Sequence, residues 1–316
     1  MKKILAADIG GTNSRFASFI ADGPRLSLED TLRLPTQEFG SFLDLVGALE
    51  AEGFPATPRR SDMTVMAVAG AVRDRVYANP PNIPWDIDLS HGRRIFGEGG
   101  YYLINDFVAQ AYGCRTDAAA DAREIKPGTP REDAALAAVG AGTGLGHCAL
   151  LPDTCGGYIA LPSEAGHASF SFTGTEEHEY ERFLLAKTGK PYAYGDIVVT
   201  GLGLSLLHEF LTGEALTPAG VSAVLTEDSQ TTAWFARFYG RACRNYALSV
   251  LAMRGVYVVG GVAAKNPMLV LHPAFREEFV DSPNYGWLLR DIPVLLNGND
   301  DTGLWGAAFY GLLSMH

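Results

Sequence analysis

The chain is poor in cysteine. Its four thiols, Cys114, Cys148, Cys155 and Cys243, are scattered, and no two stand in Cys-x-x-Cys spacing. That excludes a dense disulfide framework, and reduced thiols are the simplest reading. Cys148 and Cys155, with His147 and His167 nearby, match no standard zinc spacing. Long apolar runs are also missing. None reaches about 18 residues, so no membrane-spanning helix is expected. The apolar run at 4–7 stops at Asp8, too early for a secretory core. Positive charge is scarce: 25 Lys and Arg stand against 36 Asp and Glu, a net charge of −11. Nucleic acid and anionic membranes are therefore poor partners. No Lys-Ser or Lys-Thr follows a glycine, which excludes a P-loop. Gly142, Gly144 and Gly146 have the wrong spacing for a dinucleotide fingerprint.

What remains is a globular composition, 47% apolar and 19% charged, in 316 residues. That length favours two domains. Glycine marks two places. Asp8-Ile9-Gly10-Gly11-Thr12-Asn13-Ser14-Arg15 lies between an apolar run at 4–7 and an alternating run at 16–20. Gly140-Ala141-Gly142-Thr143-Gly144-Leu145-Gly146 lies between strand-like runs at 136–139 and 147–151. Each reads as strand, glycine turn, strand. Backbone N–H groups of such turns can approach and cradle phosphate. Asp8 beside phosphate needs an intervening cation, and Mg²⁺ commonly serves with nucleotides, here through water. Two such hairpins suggest two halves meeting on one nucleotide.

Other residues have two readings from chemistry alone. Asp106 follows an apolar strand at 101–104 and could accept a proton or cap a helix. Asn105 beside it could hold a hydroxyl. Glu164 and His167, around Gly166, could bind a polyol or pair with each other. Gly260 and Gly261, after a strand at 255–259, could lie against adenosine or start a helix. Trp85 reads as core, and His178, His208 and His272 carry no motif.

The motifs together resemble those of bacterial ATP-dependent glucokinases, within the sugar kinase/actin/heat-shock ATPase superfamily. Asp8 to Asn13 and Gly140 to Gly144 resemble the two phosphate loops. Leu161-Pro162-Ser163-Glu164-Ala165-Gly166-His167 resembles a Leu-Pro-Gly-Glu-Gly-Gly-His segment. Ile104-Asn105-Asp106-Phe107 resembles the catalytic strand end, and Val256 to Val262 the adenosine loop. Asp301-Thr302-Gly303-Leu304-Trp305-Gly306-Ala307-Ala308 resembles the closing helix. The order is kept from residue 4 to residue 310. The related repressor/kinase group carries a cysteine-rich zinc segment that this chain lacks.

The resemblance implies an α/β, two-domain actin-like ATPase (ribonuclease H-like) fold with a deep interdomain cleft. A small domain, 1–110 joined by a C-terminal helix 300–316, would face a large domain, 111–299. It implies transfer of phosphate from ATP to D-glucose in the cytoplasm, the first step of glycolysis. Asp106 would be the base. Asn82, Asn105, Asp106, Glu164, His167 and Asp196 would bind glucose. Ala7, Asp8, Ile9, Gly10, Gly11, Thr12, Asn13, Gly142, Thr143, Gly144, Gly260 and Gly261 would bind ATP, with Mg²⁺ near Asp8. Asp196 stands where the family usually has Glu. Relatives are often dimers, but no stripe here marks an interface. Kinases for mannose, fructose or N-acetyl amino sugars are the nearest alternative. A sugar-sensing regulator is disfavoured, because a hairpin starting at residue 4 leaves no room for a helix-turn-helix before it.

Expected elements complete the reading. A third strand spans 26–34. Thr36 caps a helix whose inner face is Phe39, Phe42, Leu43, Val46 and Leu49. A buried strand spans 64–72, and 117–133 is an aperiodic crossing between domains. Helices span 176–187, 199–212, 229–254 and 302–313.

Overall fold

The computed structural model describes residues 1–154 and 156–315. Cys155, invoked with the zinc spacing, lies outside them. The chain divides into two compact units, Met1–Ala120 with Asp301–His316, and Asp121–Asp300.

In the first unit, β1 (Lys2–Ile9), β2 (Asn13–Asp22) and β3 (Arg25–Pro35) form an antiparallel meander. Helix α1 (Phe42–Ala51) leads to β4 (Met63–Val68). A small ribbon follows, β5 (Val72–Arg73), β6 (Tyr77–Ala78) and β7 (Ile87–Asp88), then α2 (Arg93–Phe96), β8 (Gly100–Asn105) and α3 (Asp106–Gly113). The sheet order is β3-β2-β1-β4-β8, with β1, β4 and β8 parallel. Central β1 is buried on both faces, as a covered parallel strand must be. Leu5, Ala7 and Ile9 meet Phe42, Leu45, Val46 and Leu49 of α1. On the other face lies the C-terminal helix, Thr302–Ser314, whose Gly311 sits against Ile4, Met63 and Val65. This helix and α3 touch backbone to backbone. A Cβ on Gly306 would fall 1.8 Å from the carbonyl oxygen of Ala109, and one on Gly113 2.1 Å from that of Thr302.

The second unit adds β9 (Arg123–Lys126), β10 (Leu136–Ala141), β11 (Leu145–Pro152) and β12 (Tyr158–Ser163). Helices α4 (Gly174–Thr188), α5 (Gly195–Val198), α6 (Gly201–Thr212), α7 (Pro218–Val224) and α8 (Gln230–Val250) follow. Then come β13 (Gly255–Val259), α9 (Gly261–Lys265), α10 (Met268–Leu271), α11 (Pro273–Val280), α12 (Gly286–Asp291) and β14 (Val294–Leu296). The order β12-β11-β10-β13-β14 repeats that of the first sheet, with β9 added at the edge. In both sheets a glycine hairpin joins the first two strands, and the next strand runs parallel to the first. Buried Arg241 of α8 ties α4 and α11 together, bonding Glu177 at 2.6 Å and Glu278 at 2.7 Å.

Several expectations need correction. Ser41, not Thr36, caps α1, and its side chain accepts from the Asp44 N–H. Leu43 is exposed and Leu45 takes its place in the core. The strand begun at Met63 ends at Val68, because Gly70 at φ +87° turns the chain. The segment 117–133 contains strand β9, and a boundary at residue 110 would cut α3. Helix α8 stops at Val250, where Leu251 adopts a left-handed φ of +49°. Helices α7 and α10 to α12 were not expected. No described helix is long and apolar enough to cross a membrane.

One buried group makes stability depend on pH. His147 on β11 is 3% exposed, its ring centroid lies 4.7 Å from that of Tyr246 with the planes tilted, and its Nδ1 has no hydrogen-bond partner among the described residues. Burial lowers its pKa to about 4, despite the opposing backbone hydrogen bond at Leu145. The unfolded chain takes up this proton near pH ~6.5. Between the two values the unfolded state binds more protons, so stability falls as pH falls through that window. Urea denaturation at pH 7 and pH 5 should show wild type losing about 2 kcal/mol more than His147→Gln.

Candidate active site

The first glycine hairpin turns between Ile9 and Ser14, which face each other across β1 and β2. Its carbonyls are held from behind. Thr36 Oγ1 donates to Gly10 O at 2.7 Å, Gln37 Nε2 donates to Gly11 O, and the Thr36 N–H donates to Thr12 O at 3.0 Å. In a trans peptide the N–H points opposite to its C=O. The N–H groups of Gly11 and Thr12 therefore point away from Thr36 and Gln37, as an anion cradle requires. Ala7 and Ile9 bring backbone, not side chains, to this turn. Both side chains lie in the core of a strand paired on each side, so they support the turn and offer no side-chain contact.

Asp8 already has a cation. Arg15 lies directly opposite it in the hairpin register and bonds its Oδ2 at 2.5 Å, with Asp301 3.6 Å from the same guanidinium. Arg15 was missed in the sequence, although the register that places Ile9 opposite Ser14 places Asp8 opposite Arg15. No group of three His, Cys, Asp or Glu among the described residues could hold a metal ion.

At the end of β8, Asn105 and Asp106 separate two roles. Asn105 is the cap: its Oδ1 accepts from Phe107 N at 2.9 Å and Val108 N at 3.3 Å. Its Nδ2 donates to Gly70 O at 3.0 Å. Asp106 is the first residue of α3, half-buried, with Oδ1 accepting from Phe107 N at 3.0 Å. The helix-cap alternative for Asp106 thus falls to its neighbour. Asn82 is exposed and holds φ +64°. Trp85 is core and donates from Nε1 to Phe39 O at 2.9 Å.

In the second unit the hairpin turns over Gly142, Thr143 and Gly144. Gly142 O accepts from the Gly201 N–H at 3.1 Å, which turns the Thr143 N–H the other way. The buried Tyr239 hydroxyl accepts from Ala141 N at 3.0 Å and donates to Val259 O at 3.5 Å. It links the ends of β10 and β13, where the Gly142 and Gly260 turns begin. Gly260, at φ +88°, would bring a Cβ within 2.8 Å of Ala141 O, whereas Gly261 faces open space. Gly260 also precedes α9, so its turn starts a helix as well.

Glu164, His167 and Asp196 come together. His167 Nε2 lies 4.0 Å from Glu164 and 3.8 Å from Asp196. Glu164 and His167 are largely exposed; Asp196 is half-buried. Asp196 Oδ1 also accepts from Leu145 N, in the second hairpin, at 2.8 Å. Gly166 makes this closeness possible. A Cβ there would fall 2.2 Å from Leu145 O and 2.3 Å from Asp196 Oδ1.

A family model described as Glucokinase matches residues 5–313. The chain belongs to the glucokinase family. A glucokinase of Chromobacterium violaceum is 31% identical over 303 residues, spanning 92% of this chain and 84% of that protein. A crystal structure of a glucokinase from an Antarctic psychrotroph superposes with a TM-score of 0.84 at 26% identity, covering 98% and 99% of the two chains. A glucokinase from Streptomyces griseus, described as of the ROK family and in complex with glucose and AMPPNP, shares the fold with a TM-score of 0.60 at 19% identity, covering 98% and 99%. The mixed α/β fold is thus that of known sugar kinases.

Two glycines of this site should behave differently. Gly166→Ala drives a Cβ into backbone and should cost about 1–3 kcal/mol of stability. Gly142→Ala meets nothing within 4 Å and should melt as wild type does. Thermal melts of both variants check this.

Proposed function

We propose that this chain transfers the γ-phosphoryl group of ATP to the 6-hydroxyl of D-glucose, giving glucose 6-phosphate and ADP. The observation that carries this reading is the pair of glycine hairpins, three carbonyls of the first and Gly142 O of the second held from outside the turn, in a chain matched to the glucokinase family from residue 5 to residue 313. The N–H groups of Gly11, Thr12 and Thr143 would receive phosphate oxygens, with Gly10, Asn13 and Gly144 shaping the turns. Gly260 and Gly261 would lie against adenosine. Mg²⁺ would arrive with ATP as part of the substrate and partly neutralise its charge, and Arg15 would keep Asp8 from repelling it.

Sugar binding falls to Asn82, Asn105, Asp106, Glu164, His167 and Asp196. Hydroxyls both donate and accept, which suits carboxylates and amides. Asp106 takes the proton of the 6-hydroxyl as its oxygen attacks the γ-phosphorus and the bond to ADP breaks. Asn105 holds the start of α3 and so aims Asp106.

A coupled assay with ATP across glucose, mannose, fructose and N-acetylglucosamine tests the substrate. Glucose should give the highest kcat/KM; turnover of another sugar alone would overturn the assignment. Asp106→Asn should lower kcat by roughly 10²–10⁴ with glucose affinity little changed.

The Asp196 substitution has its own signature. One of its oxygens holds Leu145 N, so less of it is left for the sugar. Glu164→Ala should raise the KM for glucose about ten-fold or more. Asp196→Ala should raise it less, but should also raise the KM for ATP. Steady-state kinetics of the two variants decide it.

A further inference from the structure

One side chain joins two turns of the first unit that the reaction uses separately. Gln37 lies in the short turn Thr36–Glu38 and is exposed. Its carboxamide nitrogen donates to two carbonyl oxygens, that of Gly11 and, at 2.9 Å, that of Asn82. The two turns are already in contact. A Cβ on Gly11 would fall 2.9 Å from Asn82 Cβ and 3.1 Å from Asn82 O. Asn82 itself holds φ +64°, a left-handed conformation that asparagine adopts more readily than most residues.

We propose that Gln37 is a positioning residue that locks the phosphate hairpin and the Asn82 turn into one piece. Binding at either turn then presets the other. This rests on Gly11 serving phosphate and Asn82 serving sugar, as proposed above. The lock needs a double donor at this length. Glutamate matches glutamine in length but offers only acceptors to two carbonyls, so it drives the turns apart. Alanine leaves them unjoined. Because the side chain is exposed, its loss should disturb global stability little.

The test uses the full chain with Gln37→Glu and Gln37→Ala. Amide hydrogen exchange of the unliganded proteins is read at residues 10–13 and 80–83, beside melting temperature and kinetics with glucose and ATP. The proposal expects near-normal melting and faster exchange in both segments together. It also expects the two KM values to rise in parallel, by roughly 5–50-fold, with a smaller change in kcat. The larger effects should fall on Gln37→Glu. Unchanged exchange and KM in folded variants would overturn it, as would a rise in one KM alone. So would a lowered melting temperature with normal KM, which marks a purely structural role. A wild type inactive on every sugar would refute the kinase reading instead, and the paired exchange would still report on the lock.

Discussion

A glycine turn serves an anion when its N–H groups converge on one side and its carbonyl oxygens are turned to the other. An unrestrained turn presents donors and acceptors alike, and the acceptors repel phosphate. In both hairpins a bond from outside the turn fixes that orientation, at three carbonyls in the first and at one in the second. In the first unit β3 pairs with β2 so that Pro35 stands opposite Asn13, which delivers Thr36 and Gln37 directly behind Gly10, Gly11 and Thr12. In the second, the N–H that opens α6 takes Gly142 O. The chemistry of each turn thus depends on the register of a sheet or the start of a helix, not on glycine alone.

The two sheets repeat one strand order but end their strands differently. The outer parallel strand of the first, β8, ends in Asn105 and Asp106, a cap and a carboxylate. The strand beside the hairpin in the second, β13, ends in Gly260, bare backbone suited to a flat surface. Place for place, β8 corresponds to β14 and β13 to β4, so the carboxylate and the bare backbone stand at different places in the repeated order. Strand ends permit this because their backbone is still oriented by the sheet while their side chains no longer pack within it.

Much of the framework was legible in the sequence. Both hairpins, β3, β8, β13, α4, α6 and the C-terminal helix show strong periodicity or glycine punctuation. What was missed depended on tertiary context. Ser41 and Thr36 are equally good caps by composition; only the hairpin behind Thr36 draws its hydroxyl away. Leu43 and Leu45 both fit a loose helical stripe, and the sheet surface selects Leu45. Strand β9 is four residues long and its pairing partner, β14, lies far along the chain. Of the candidate site, the residues with a motif could be named from the sequence, and the structure brings Glu164, His167 and Asp196 together. Those that hold the turns, Gln37, Tyr239 and Arg15, have no motif and become visible only through their partners.

The closure of the first unit by residues 302–314 sets an order of assembly during synthesis. The second unit is continuous and lies wholly before that helix. The sheet of the first unit, with Ile4, Met63 and Val65 on its open face, stays uncovered until residues 302–314 have been made. The backbone contact at Gly306 and Gly113 tolerates no side chain in between. A chain that stops short of it would therefore hold a finished second half and a first half still exposing its apolar face, the state most open to chaperones and to aggregation.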